Sequence, residues 1–271
     1  MRFSPTFLKT VEQCRLRARW KKIDHAPQEE SEASFPLRFG KATHQALETV
    51  YKHLVDTGYV GPFDDDIANI AHEAVNKATE ENGPFPHNSI ENIRWQVIDY
   101  LENQEKLNAK DVLGTEQFLN WSLEQGTNVV GYIDRVDRRR PNGVAVIDYK
   151  GGKRAWNTDI IRSDVQMQTY AVASAARYPW AERIYTEIHM VTQRKTATAL
   201  WTKDDLEFVE QELKQRYLDA NQQMLDGPWD ATPGPHCSTC DFKRLCPAYD
   251  GTPAAGTWNP VLGSLQPEQD Q

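Results

Sequence analysis

GVAVIDYKGGK, residues 143–153, decides how this chain folds. Val144, Val146 and Ile147 mark a strand entering a core, and that strand ends in Asp148 and Lys150. Side chains two apart on a strand leave the sheet on the same face. A carboxylate and an ammonium held there are costly unless solvated, paired or used.

Upstream, GYIDRVDRRRPNG (131–143) reads as the partner strand and turn of a hairpin. An odd loop centred near Pro141 sets Asp134 across from Asp148, with both on the face of Lys150. A two-residue Asn142-Gly143 loop shifts the register and sets Asp137 there instead. In either register two acids and one lysine meet at one edge of the sheet. Such acids repel by several kcal/mol at low dielectric unless a cation separates them. Mg²⁺ or Mn²⁺, hard ions with oxygen ligands, suits the gap. The plain alternative is a pair of surface salt bridges of little consequence.

Period-two patterning extends this hairpin to strands over 115–124, 128–137 and 143–150. Helix is expected over 157–177, then strands in RIYTEIHMVT and KTATALW, then helix from 203 to 225. In front, Ser4-Pro5 starts a helix whose inward face carries Phe7, Leu8, Val11, Cys14 and Ala18. After a polar segment, 24–34, FGKATHQALETVYKHL (39–54) forms a second helix with Gly40, His44, Leu47, Tyr51 and Leu54 on one stripe. Residues 64–81 and 88–108 read as two more, divided by NGPFPHNS. The expected class is therefore α/β: a central mixed sheet flanked by helices, in one domain over 1–250, with a flexible tail over 251–271.

The formal net charge of −8 advertises no global field for nucleic acid. Basic residues cluster locally instead, at Arg15, Arg17, Arg19, Lys21 and Lys22 and at Arg138–Arg140. Nothing approaches the ~20 apolar residues that cross a bilayer. The N-terminus lacks the pattern of a secretory signal, so a cytoplasmic protein is expected.

Three stretches in order, GYIDRVD, VIDYKGG and QMQTYA (166–171), resemble the PD-(D/E)XK nuclease superfamily, in particular its RecB-like branch. The resemblance implies a restriction-endonuclease-like core and assigns catalytic roles to Asp134, Asp148, Lys150, Gln166 and Tyr170. It matches Gly40 and His44 to the histidine of an early helix. His44, Asp134, Asp148 and the Tyr149 carbonyl would then hold Mg²⁺ or Mn²⁺, and Lys150 would hold or deprotonate the attacking water. Glu116, on the strand before, is a candidate supporting carboxylate. Arg135, Lys153, Arg154 and the first-helix arginines are expected to line a groove leading to the site.

PHCSTCDFKRLCP (235–247) sets Cys237, Cys240 and Cys246 in a short knuckle, while Cys14 lies far upstream. In a reducing compartment a metal explains such spacing better than disulfides. Spacing alone leaves zinc and an iron–sulfur cluster both open. One N-terminal Cys with a C-terminal C-x₂-C-x₅-C around RecB-like motifs is similar to the iron–sulfur nucleases, among them AddB and the Cas-four-like exonucleases. That likeness implies a [4Fe–4S] cluster joining the N-terminal helices to the C-terminal segment. It also implies a DNA exonuclease acting on single strands or free ends with 5′-to-3′ polarity. The setting would be prokaryotic or virus-encoded, in recombination, repair, replication or CRISPR adaptation, with the protein partners of those processes. No G-x-x-x-x-G-K-[ST] loop accompanies it. Two other classes compete: a catalytically silent nucleic-acid-binding adaptor and a zinc-stabilised structural protein.

Overall fold

Helices dominate the first hundred residues because apolar side chains recur there at helical spacing; strands dominate next, where β-branched residues alternate. The computed structural model describes residues 1–28 and 34–249, with two short strands, Trp258–Asn259 and Ser264–Leu265. The elements begin with β1 (Arg2–Phe3), α1 (Pro5–Gln13), α2 (Arg15–Lys22), α3 (Ser34–Thr57), β2 (Val60–Gly61), α4 (Asp65–Asn82), α5 (His87–Glu102) and β3 (Leu107–Asn108). They continue with β4 (Val112–Ser122), β5 (Asn128–Arg139), β6 (Gly143–Lys150), α6 (Thr158–Ser163), α7 (Val165–Arg177), β7 (Arg183–Met190), β8 (Lys195–Trp201) and α8 (Lys203–Asp226). The chain divides into two compact units: Phe35–Trp121 with Val130–Leu213, and Met1–Ser34 with Ser122–Val129 and Lys214–Gln271.

The first of these holds the sheet, in the order β4-β5-β6-β7-β8. β6 runs antiparallel to β5 and parallel to β7, and β8 returns antiparallel, so the sheet is mixed as expected. A parallel neighbour demands a crossover, supplied by α6 and α7. β6 is buried along its length up to the half-buried Lys150, which explains its near-continuous apolar run. Ala145, Ile147 and Tyr149 pack into a core with Leu47, Val50 and Leu54 of α3 and with Ile93 and Val97 of α5. Each such fully buried aliphatic side chain contributes about 1.5–3 kcal/mol.

The register of the hairpin is Arg135↔Ile147 through Arg139↔Gly143. The loop is therefore the odd one, Arg140-Pro141-Asn142, and the same register carried one step on brings Asp134 beside Asp148. Asp137 pairs with Ala145, not Asp148.

The other unit holds all four cysteines. Ser4 caps α1, its hydroxyl accepting the Phe7 N–H at 3.1 Å. The single helix expected through Ala18 breaks at Cys14, whose backbone is extended (φ −159, ψ 108), so α2 starts afresh at Arg15. Trp20 packs with Ala26, Phe242 and Leu245 beside Cys240 and Cys246. β1 pairs parallel with Asn128 and Val129.

Two other expected helices differ in length. The one expected over 157–177 is interrupted at Asp164, which turns away from helix to cap α7. The one expected to reach 108 stops at Glu102, and Leu107–Asn108 pairs with Val60–Gly61 instead. The tail expected from 251 lies outside the described residues, apart from the two short strands, which pair antiparallel. Among the described residues no helix is long and apolar enough to cross a membrane.

Candidate active site

Lys150 Nζ lies 2.5 Å from Asp148 Oδ2, the same-face contact that strand alternation predicts. Asp134 arrives from β5 and its Oδ2 accepts the Tyr149 N–H at 2.8 Å. His44, one face of α3, sets its Nδ1 3.2 Å from that same oxygen. From α7, Gln166 Nε2 donates to Asp148 Oδ1 at 2.8 Å, and lies 3.1 Å from the Tyr170 hydroxyl. The Tyr170 hydroxyl in turn donates to the Tyr132 carbonyl at 2.6 Å. Six of the residues read from sequence thus meet at one edge of the sheet.

Position within the group sets each charge. Burial opposes a charged His44 ring, but Asp134, reinforced by Asp148, outweighs it and raises the ring's pKa. Burial likewise opposes ionisation of Asp134; His44, the Tyr149 N–H and Lys150 overcome it and hold the carboxyl below its usual range. Asp148 shifts the other way: burial, with the Asp134 charge added, outweighs Lys150 and raises it. Lys150 is raised too, because Asp148 and Asp134 outweigh its burial. Two acids share one lysine, and the second acid ionises reluctantly.

Glu116 occupies the left-handed region of the backbone at φ +44, unusual for a residue within a strand. That kink in β4 accompanies an environment shared with the other acids. Burial, then the charges of Asp134 and Glu48, push its carboxyl up to about 7.

His44, Glu116, Lys150, Gly151 and Gly152 line one cleft of about 890 Å³. Lys153 and Arg154 are exposed on the loop that follows, with Arg154 over the Trp156 ring at 4.6 Å. Arg135 does not line this cleft. Alternation turns it to the opposite face from Asp134, where it is 4% exposed and pairs with Asp137 at 3.1 Å. There it donates to the Tyr149 hydroxyl at 2.9 Å and lies over the Tyr51 ring at 3.9 Å. The hairpin arginines also have partners: Arg138 stacks on Trp180, Arg139 grips Glu187, and Arg140 meets Asp111 at 3.5 Å.

Asp164 and Glu48 were not singled out from the sequence. Asp164 accepts the Gln166 N–H at 2.9 Å and so sets the start of α7 and the aim of Gln166. Its signal was an acid directly before a helical run. Glu48 lies one turn after His44 and lines the same cleft; the i, i+4 spacing was its signal.

Donor chemistry fits a hard divalent ion: two carboxylates, an imidazole and a backbone carbonyl. Asp148 Oδ2 is buried with no hydrogen bond, only the Lys150 ion pair. Among the described residues, no three His, Cys, Asp or Glu side chains are already gathered as ligands to one ion.

In the other unit, Cys14, Cys237, Cys240 and Cys246 all line one small cavity of about 20 Å³. Burial pushes the Cys240 thiol up, while a neighbouring backbone N–H and Arg17 pull it back. Arg17 pairs with Asp241 at 3.3 Å, and Arg19 pairs with Asp24 and lies over the Trp229 ring at 4.3 Å. Arg17 therefore ties α2 to the cysteine knuckle, while Arg19 ties it to Asp24 and Trp229. Four thiols around one cavity fit a group that takes four thiolates.

A family model for the PD-(D/E)XK nuclease superfamily matches residues 2–247. No curated protein matches. Among solved structures, the crystal structure of SSO0001 is similar at 14% identity, covering 92% of this chain and 86% of that one with a TM-score of 0.38.

Proposed function

This chain belongs to the PD-(D/E)XK nuclease superfamily, and on that premise we propose that it is a Mg²⁺- or Mn²⁺-dependent DNA exonuclease. Its substrate is single-stranded DNA or a free end, degraded with 5′-to-3′ polarity in recombination, repair, replication or CRISPR adaptation. The observation that carries the reading is the junction of Asp134, Asp148, Lys150 and His44, of which His44 and Lys150 line an open cleft.

A bound ion would be held by His44, Asp134, Asp148 and the Tyr149 carbonyl, and would acidify a water and screen the phosphate. Each remaining role belongs to a side chain of the protein. Lys150 keeps its proton beside two carboxylates, so it orients the water and neutralises charge that develops on the phosphate. Gln166 fixes Asp148 through its amide, and Tyr170 fixes Gln166 while anchored to the Tyr132 carbonyl. Hydrolysis then forms one water-oxygen bond to phosphorus as the phosphodiester P–O bond breaks, and the leaving oxygen takes up a proton. All the acids and the lysine are present, which disfavours a silent adaptor.

We also propose that residues 1–250 work as one nuclease domain carrying a [4Fe–4S] cluster on Cys14, Cys237, Cys240 and Cys246. The support is that all four thiols line one common cavity. The cluster's work there is architectural, tying α1–α2 to the C-terminal knuckle.

A time course on end-labelled linear DNA and on closed circles, with Mg²⁺ or Mn²⁺, tests the reaction and its end requirement together. Linear strands are expected to shorten while circles survive. Intact linear DNA with both ions would remove the nuclease reading, and degraded circles would remove the end requirement.

A further inference from the structure

The cleft that holds His44 and Lys150 has a second wall which none of the chemistry above uses. Phe35, Pro36, Leu37 and Phe39, the first turn and a half of α3, line it together with the ionic residues. Leu37 is 69% exposed, the behaviour of a side chain with no place in a core. Phe35 is braced from behind, its ring 5.9 Å from Phe85 edge-on and 6.3 Å from Phe39. Arg38 leans over Phe85 and donates to the Pro84 carbonyl at 3.3 Å. An aromatic wall held this firmly is preorganised rather than collapsed into the cleft.

Between that wall and His44 lies Gly40. A Cβ added there would meet no protein atom within 4 Å, and the same holds for Gly152 across the cleft. Glycine in a helix interior is unfavourable relative to alanine, and here packing supplies no reason for it. Close approach of a ligand backbone does.

We propose that Phe35, Leu37 and Phe39 form a base-stacking wall for single-stranded DNA, which decides that the enzyme takes unpaired strands. The inference rests on the nuclease reading and specifies its substrate. Every base has an apolar face, and aromatic or aliphatic walls stack bases without reading sequence. In a duplex those faces are covered by neighbouring pairs, so only an unstacked base or a strand end can use the wall. Helix rise, about 1.5 Å per residue, separates Phe39, Leu37 and Phe35 from His44 by about 8–14 Å. At about 3.4 Å per stacked nucleotide, the wall meets the bases roughly two to four nucleotides from the scissile phosphate.

The test scans an abasic site through the first six nucleotides on one side of the cut in a single-stranded oligonucleotide, using the full-length protein, and repeats it on the other side. KM is expected to rise at least about fivefold when the missing base lies roughly two to four nucleotides from the cut, and to change little elsewhere. Leu37→Ser, an exposed position that spares the core, should raise KM for the unmodified strand to a similar degree. It should hold kcat at saturating DNA and erase the abasic profile. Cleavage with a flat profile and an unchanged KM in Leu37→Ser overturns the wall alone. No cleavage of any DNA by the wild-type protein overturns the nuclease reading and the wall with it.

Discussion

Asp134 accepts the backbone N–H of Tyr149 at 2.8 Å, so the acid of β5 is fastened to β6 at the residue between Asp148 and Lys150. One carboxylate thereby both shapes the sheet edge and faces His44. Its two duties separate by substitution. Asp134→Asn keeps an acceptor for the N–H, whereas Asp134→Ala leaves it without that partner. Asp134→Ala should lose about 1.5–3 kcal/mol of stability by denaturant melt, Asp134→Asn clearly less, and both should lose DNA hydrolysis. Equal melts for the two variants would show that the bond does not hold the strands.

Removal of the central pair tests the chemistry. Lys150→Ala and Asp148→Ala should each lower Mn²⁺-dependent degradation of single-stranded DNA by at least about 10²-fold while circular dichroism stays native. Activity within a few-fold of wild type in either variant would place the reacting phosphate elsewhere.

Glu116 should make stability depend on pH. Its folded carboxyl titrates at about 7, above the ordinary 4.5, because burial and its acidic neighbours disfavour the charge. Between those values the folded protein binds the extra proton, so stability falls as pH rises through the window. Without added divalent ions, Glu116→Gln should melt higher than wild type at pH 8, with the gap closing by pH 4.5. A gap of the same size at both would mean that Glu116 ionises freely.

Arg135 and Asp137 form a buried ion pair on the face opposite the site. Arg135→Met strands a buried carboxylate and should cost about 3–5 kcal/mol, whereas Arg135→Met with Asp137→Leu should recover most of it. Chemical denaturation of the two variants decides the point, and a double variant as unstable as the single one would deny the pairing.

The cysteines predict a colour. Purified without air, the protein should be brown and bleach on reduction, and Cys246→Ala should lose both colour and thermal stability. A colourless protein with one zinc per chain would replace the cluster by a zinc site.

Much of this was legible in the sequence because it rests on periodicity. β6 spans the residues that its alternation marks, Asp148 and Lys150 follow from strand spacing, and Gln166 and Tyr170 were named by the family resemblance. The hairpin register was open between two loops, and composition did not separate them; the observed pairing did. Arg135 was expected in the groove because charge suggests solvent. Its strand parity placed it among Tyr51, Tyr100 and Tyr149, where those rings and Asp137 satisfy it. The breaks at Cys14 and Asp164 were hidden because the apolar stripe continues past both, and backbone turns of one residue leave no period. The left-handed backbone at Glu116 had no local signal at all, since glycine or asparagine would be the usual mark.

The order in which the chain is made follows from how its two units are divided. By residue 213 the ribosome has delivered every residue of the sheet-bearing unit, yet only one of the four thiols. Domains tend to fold as they emerge, so the hydrolytic pocket can be built during translation. The proposed ligation by all four cysteines has to wait for residue 246, and so comes after the sheet-bearing unit has been made.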